Sequence, residues 1–461
     1  MNKINTKTIK EAIYNLCLSA NTALNKKAYS KILSAYEKTT NIEQKEILKN
    51  ILLNAKISYE TKRPLCQDTG QVLVFLEIGQ NVQFEGNDLT SEINEGVEKC
   101  YKENFFRKSV VKNALSDRTN TNSNTPTIIY TDIVSGDDVK INVLIKGAGS
   151  ENKSSAVMAL PTSTKEELKD LIVKQILSSG LNACPPMFIG IGIGQTLEGA
   201  ALLSKKALFS ENTKDEFANE IIAEVNEKAP ENYKGIYALD VKILSKSTHI
   251  ASMPVGITMN CHSVREAKCI IKNDEITYLS ETPDFIDIER TKENKKEIFT
   301  ENIQEIRSLK QGESILLSGE IYVARDAAHK RLFELMKGNK PLPFEIKDKI
   351  IFYAGPCPAN EKEIIGPIGP TTSGRMDKYA IELYELGLAA TIGKGNRNKE
   401  TEAAIIKNRG VYFTVQGGIA SLLKTCVKKS EIIAFSELGA EAIYKLTIEK
   451  MPMTAEISAN L

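Results

Sequence analysis

Histidine is scarce in this chain of 461 residues: His249, His262 and His329 are the only three. Imidazole chemistry, if there is any, must use one of them. No two of the eight cysteines form a Cys-x-x-Cys pair, so neither a zinc ribbon nor a ferredoxin-type cluster is indicated. No apolar run approaches a membrane span. The first residues, MNKINTKT, lack the apolar centre of a signal peptide. The net charge is +1, which gives nothing to attract a nucleic acid or a membrane surface. Internal repeats and low-complexity tracts are missing too. What remains is an ordinary soluble composition, 42% hydrophobic with balanced charges, and enough chain for about two to four domains with sizeable cores. A cytoplasmic protein without disulfides is expected, its scattered cysteines available for metal or catalysis.

The pattern of apolar residues sets the expected elements. Residues 6–58 read as helical, with Ile9, Ala12, Ile13, Leu16, Cys17 and Ala20 at helical spacing and Thr6 as N-cap. A strand is expected over 72–78, a helix over 89–109, and a loop over 118–126, where amides and hydroxyls compete with regular structure. Residues 127–134 and 139–145 read as a β-hairpin across Ser135-Gly-Asp-Asp138. Helices follow at 164–179 and 196–209, with a strand at 187–193 in which glycine alternates with apolar residues. Glycine inside a strand indicates a close backbone approach. Cys269 belongs to a strand over 268–271. The charged run 289–297 reads as a linker or surface helix, and the domain boundary is placed there, giving domains 1–285 and 286–461. Beyond it, strands alternate with helices, which predicts an α/β domain with parallel strands. The expected fold class is thus α/β and α+β, a mixed α/β first domain followed by an α/β second domain.

Three cysteine stretches share one look. The first is Arg63-Pro-Leu-Cys-Gln-Asp-Thr-Gly70, where Cys66 and Asp68 stand two apart on a turn that feeds a strand. The second is ACPPMFIGIGIG, around Cys184, and the third is THIASMPVGITMNCH, with His249 and Cys261. Each cysteine also reads plainly as a small buried hydrophobe, and Asp68 as a turn former. Three thiolates from three distant loops, however, suit an iron–sulfur cluster with one iron left open, the arrangement of a Lewis-acid catalyst rather than an electron carrier. The exit Lys146-Gly-Ala-Gly-Ser-Glu-Asn152 can turn backbone N–H groups toward an anion, or be simply a loop.

These stretches, with FFRKSVV at 105–111, NTPTIIYTDIV at 124–134, KGAGSEN at 146–152, ARDAAHKRL at 324–332, YAGPCP at 353–358, IGPTTSGRMD at 368–377 and GKG at 393–395, closely resemble the iron–sulfur-dependent class I fumarate hydratases and the related two-subunit L-tartrate dehydratases. The resemblance covers nearly the whole chain, with the α and β parts fused. It implies a [4Fe-4S] cluster held by Cys66, Cys184 and Cys261, one iron free of protein ligands. It implies a small dicarboxylate bound by Gln67, Arg107, Gly149, His249, Arg325, Arg375 and Lys394, with Thr371 as base and Asp68 as acid. Arginine forks suit carboxylates, and Thr371 needs an activating neighbour, with Lys394 or Asp68 in view. A homodimer is also implied, with no nucleic-acid or membrane partner. One departure is Ala148, where three consecutive glycines are expected; its methyl group would crowd the loop.

The resemblance makes the chain a hydro-lyase that interconverts fumarate and (S)-malate. Tartrate or mesaconate stays open as substrate. A cluster-binding sensor and a metal-free structural protein are rivals of other classes; a sensor needs none of Asp68, Thr371, Arg375 and Lys394. Arg331 reads as a solvated helix face, His329 as either a helix-start or a site residue, and His262 as structural. Cys357, between two prolines, is set aside as a fourth ligand, because it would close the iron to substrate. Cys17, Cys100, Cys269 and Cys426 read as core.

Overall fold

The computed structural model describes residues 2–211, 215–288 and 295–460. The chain forms two compact units, one of Met1–Lys62 and Asp68–Ile286, the other of Arg63–Gln67 and Asp287–Leu461. Most of the charged run at 289–297 lies outside the described residues; its end joins a strand, Lys296–Phe299.

Three helices open the first unit, Thr6–Thr22, Lys26–Lys38 and Ile42–Thr61. The first is capped one residue earlier than its sequence suggests, because the Asn5 side chain accepts the Lys7 N–H. Its buried stripe, Ile9, Ile13, Leu16, Cys17 and Ala20, enters one core with Val72, Val74 and Leu76 of the strand Gln71–Gly79. Each such aliphatic side chain contributes about 1.5–3 kcal/mol on burial. That strand lies one place in from the edge of a five-stranded sheet. Ile128–Val134 pairs with one edge of it, in parallel, and Val139–Lys146 with the other, antiparallel. The hairpin expected from 127–145 is therefore not formed. The apolar run Val72–Leu76, buried on both faces, takes the place between the two segments. The helix Leu89–Glu103 also stops short of the expected end, since Asn104 caps it and Phe105 turns left-handed at φ 54°.

A four-stranded sheet completes the first unit, in the order Ser155–Ala159, Met253–Asn260, Met187–Gln195, Ala238–Thr248. Here the alternating glycines find their reason. A Cβ on Gly190 would lie 2.0 Å from Ser204 O, one on Gly192 2.2 Å from Ala200 O, and one on Gly256 2.3 Å from Ala200 O. The helix Leu197–Ala207 rests directly on bare backbone.

In the second unit, parallel strands Lys296–Phe299, Ser314–Val323, Ile350–Phe352, Ala390–Gly393 and Val411–Thr414 lie side by side, as alternating strands and helices predict. The long strand Ile443–Ser458 is antiparallel to both Val411–Thr414 and Ser314–Val323 and closes the sheet on itself. Helices Asp326–Lys337, Asp377–Glu385 and Lys399–Lys407 follow strand ends. Among the described residues no helix is long and apolar enough to cross a membrane.

Candidate active site

In the first unit the polar centre is Asp68. Gly70, at φ +63°, bends the chain so that its N–H reaches Asp68 Oδ1 at 3.2 Å. Ala148 N–H reaches Oδ2 at 2.8 Å, and Arg107 Nη2 lies 3.2 Å from Oδ1. Arg265 donates to the Asp68 carbonyl. Burial by itself would raise the carboxyl pKa; Arg107, Arg265 and the two backbone N–H groups outweigh that and hold it at about 2. The N–H that the glycine-rich exit turns toward an anion thus meets a carboxylate of the same unit. The Ala148 residue is exposed. Arg107 is fixed through its carbonyl, which accepts from Thr69 Oγ1 at 2.6 Å.

Cys184 and Cys261 leave neighbouring strands at one end of the four-stranded sheet. Met187–Gln195 starts just after Cys184, Met253–Asn260 ends just before Cys261, and Phe188 is paired with Asn260. The short helix Ala148–Glu151, which contains Gly149, packs against both the turn Gly180–Ala183 and Met253–Asn260. Four of the expected residues, Asp68, Gly149, Cys184 and Cys261, therefore belong to one set of packed segments, with Arg107 paired to Asp68. Cys184 sits at φ 61°, rare for a residue with a side chain, and Cys261 Sγ is 3.1 Å from Ser263 Oγ. His249 is different. It lies on the exposed turn after Ala238–Thr248, whose Thr248 is paired with Gln195 at the opposite end of the sheet. The length of a strand, roughly 25 Å, separates it from the two cysteines. His262 is buried beside Cys261, in keeping with a structural role.

The second unit gathers the rest. Cys66 Sγ lies 3.5 Å from Gln67 Oε1, Gln67 Nε2 donates to Pro370 O at 3.2 Å, and Cys357 Sγ reaches Gln67 O at 3.4 Å. A Cβ on Gly369 would come within 2.5 Å of Gln67 Oε1, so any larger residue there would displace the end of the Gln67 side chain. Next in the chain, Thr371 donates its N–H to Tyr353 O at 2.7 Å and accepts at Oγ1 from Arg375 Nη2. Arg375 also lies 3.2 Å from Asp326, Asp326 3.2 Å from Arg325, and Arg325 3.2 Å from Glu441. Burial opposes ionisation of Asp326, but Arg375 and Arg325 outweigh it and keep its carboxyl below the usual range. Lys394 is tied in by main chain: its N–H donates to Thr371 O at 3.2 Å, and its O accepts from Ser373 N at 2.9 Å.

Arg265, Asp326 and Glu441 escaped the sequence reading. Asp326 stands inside a quoted motif, beside Arg325; nothing local marks Arg265 or Glu441. His329 proves to be interior, fully buried between the rings of Tyr353 and Tyr379 with Nδ1 3.0 Å from Arg325 O. Arg331 is half exposed on its helix. All eight cysteines carry thiols rather than disulfides. Cys17, Cys100 and Cys269 lie in the apolar core, where burial pushes their thiols up, Cys269 to about 12. A thiolate ligand is disfavoured there. Cys66, Cys184, Cys261 and Cys357 lie outside helices and strands, and a thiolate-bound iron–sulfur group would draw its ligands from cysteines placed on loops.

Comparison with known proteins shows the family. A family model described as Fumarate hydratase (Fumerase) matches residues 10–270, and one described as Fumarase C-terminus matches 270–460. The chain is 32% identical to the anaerobic class I fumarate hydratase of Escherichia coli (strain K12), over 88% of this chain and 80% of that protein. Identity is also 32% to the aerobic class I enzyme of Salmonella typhimurium, over 88% of this chain and 76% of that one. A putative L(+)-tartrate dehydratase subunit alpha of Methanocaldococcus jannaschii is 39% identical over 52% of this chain and 89% of its own.

Proposed function

Because the chain belongs to the class I fumarate hydratase family, we propose that it adds water to fumarate and removes it from (S)-malate at the residues described above. It is a hydro-lyase of an iron–sulfur-dependent family. On this reading Cys66, Cys184 and Cys261 hold a [4Fe-4S] cluster. When bound, the cluster supplies an open iron, a Lewis acid for the hydroxyl that is gained or lost.

This chain's own residues do the rest. A dicarboxylate removed from water needs fixed cationic partners. The resemblance assigns that task to Arg107, Arg325, Arg375 and Lys394, with Gln67 and the backbone at Gly149 as neutral donors. Charge-assisted hydrogen bonds contribute about 1.5–3 kcal/mol each. They also stabilise the charge that grows on a carboxylate as the adjacent carbon loses its proton. Thr371 takes that proton. Its hydroxyl accepts from Arg375 Nη2, and a guanidinium there favours the alkoxide. Arg375 thereby joins Lys394 and Asp68 as an activating neighbour of Thr371. Asp68 is ionised in the protein as described; a substrate dianion beside it raises its pKa toward proton donation. His249 belongs to the substrate set on resemblance alone; in its own unit it lies a strand's length from Cys184 and Cys261.

The observation that supports the reading most is the gathering, within each unit, of residues far apart in sequence: Asp68, Arg107, Gly149, Cys184 and Cys261 in one, and Gln67, Arg325, Thr371, Arg375 and Lys394 in the other. A homodimer belongs to the proposal on resemblance alone, and a cytoplasmic location on composition. Tartrate is the second reading, favoured by the relative matched over 52% of the chain. Anaerobic reconstitution with iron and sulfide, followed by turnover of fumarate, (S)-malate, L-tartrate and mesaconate, decides between them. Fumarate is expected to turn over fastest. Full activity in protein free of iron and sulfide would refute the cofactor, and no turnover of any of the four would refute the enzyme.

A further inference from the structure

We propose that Arg397 is a positioning residue, which sets the spacing between the Thr371–Arg375 turn and Lys394 without touching substrate. The proposal rests on the reading of Thr371, Arg375 and Lys394 as substrate-side groups. Arg397 is buried, its side chain wholly so, and its Nε bonds Asp377 Oδ1 at 2.6 Å. Its guanidinium carbon lies 5.3 Å from the ring centre of Tyr353 and 5.1 Å from that of Tyr412, a cation held between two aromatic faces.

What this buried group joins gives it a role. Asp377 follows Arg375 by two residues, and its second oxygen accepts from Asn398 N at 2.9 Å. Arg397 follows Lys394 by three. One ion pair therefore ties the loop bearing Thr371 and Arg375 to the loop bearing Lys394. The two tyrosines tie the same loops again. Tyr353 accepts the Thr371 N–H through its carbonyl, and the Tyr412 hydroxyl lies 2.9 Å from Ser373 Oγ and 2.6 Å from Gly395 O. The loops approach so closely that a Cβ on Gly393 would lie 1.9 Å from Ser373 Oγ. A surface arginine in this register would leave the gap between the loops free to breathe. A buried one, fixed by a carboxylate and two rings, does not. Lysine keeps the charge but not the planar group that fills the slot, so it restores the spacing in part.

The test uses the anaerobically reconstituted full chain with Arg397→Met, Arg397→Lys, Arg375→Lys and the Arg397→Met/Arg375→Lys double variant. Turnover of fumarate gives kcat and KM per folded molecule. Calorimetric binding of succinate, a dicarboxylate that cannot be hydrated, gives a readout without chemistry. A misplacement of about 1 Å costs roughly 100-fold in rate, so Arg397→Met is expected to lower kcat by about that factor and weaken succinate by about tenfold. Arg397→Lys is expected to recover most of the loss. Because Arg397 acts through its neighbours, Arg397→Met should add less than about threefold once Arg375 is already lysine. Wild-type kcat, KM and succinate binding in Arg397→Met would overturn the proposal, as would full multiplication of the two effects. If Arg397→Met yields no folded protein, Arg397→Lys and Tyr412→Phe decide, wild-type kinetics in both overturning it. If Thr371→Ala and Arg375→Lys leave turnover untouched, the reading of the site itself has failed; if they abolish it while Arg397→Met does not, only the positioning role has.

Discussion

Replacing Gly192 by alanine tests how the two strands that lead to Cys184 and Cys261 are supported. The added Cβ would stand 2.2 Å from Ala200 O and 2.6 Å from both Leu203 Cβ and Ser204 N. Non-bonded atoms essentially never approach a Cβ closer than 3.0 Å, so the helix Leu197–Ala207 must retreat by roughly 0.8 Å. The obstacle is backbone, which cannot swing aside as the end of a side chain can. Overpacking of this kind costs about 1–3 kcal/mol, and a radial gap near 1 Å forfeits a quarter to a half of each dispersion contact along the retreating face. Ala200, Leu203, Ser204 and Ala207 are the buried residues that lose contacts. A total of about 3 kcal/mol is expected. For a unit of this size each kcal/mol shifts the melting temperature by about 2 °C, which gives a drop of about 6 °C. Circular dichroism melting at a single scan rate measures it. Gly235→Ala is the control: nothing stands within 4 Å of its added Cβ, and only the strain of φ +84° remains, about 1–2 kcal/mol. A Gly192→Ala protein that melts within 1 °C (roughly 0.5 kcal/mol) of the parent would refute the close approach of helix and sheet.

Cys184→Ser is expected to abolish the visible absorbance of the reconstituted cluster, whereas Cys426→Ser, at a buried thiol near Lys450 O, leaves it intact; equal spectra would remove the ligand assignment. Gly369→Ala drives a methyl into Gln67 Oε1, so KM for fumarate is expected to rise about tenfold; an unchanged KM would take Gln67 out of the substrate set. His329 predicts a pH dependence. Burial lowers its pKa to about 4 from 6.5. Above pH 6.5 both folded and unfolded chains are neutral there and stability is flat. Below it the unfolded chain binds the proton first, so stability falls, by about 3 kcal/mol in total once pH passes 4. His329→Gln should flatten that limb of a denaturation series from pH 7 to 4; an identical limb would place the titration elsewhere.

Much of the second unit was legible because its strands and helices alternate and each is marked by its own residues. The glycine pattern at 187–193 announced a close neighbour without saying that it would be the helix Leu197–Ala207. The hairpin across 135–138 was misjudged for a physical reason. Turn residues fix where a chain reverses, but which strand lies beside which depends on what else must be buried, and the apolar run Val72–Leu76 claimed the middle. The partners of the site residues were likewise hidden. Asp326, Glu441 and Arg265 are ordinary charges until folding brings them to Arg375, Arg325 and Asp68.

The order of residues alone determined the chemistry on offer: three loop-borne thiols, forked cations, a threonine and an aspartate, and the helices and strands that carry them. These follow from side-chain type and local periodicity, which need no knowledge of distant residues. Only the folded chain decided that Arg63–Gln67 belongs to the second unit while the first resumes at Asp68, that Arg375 meets the Thr371 hydroxyl, and that His249 lies a strand's length from Cys184 and Cys261. Those outcomes depend on contacts between residues tens to hundreds of positions apart, where burial of the whole core, rather than any local preference, sets the lowest free energy.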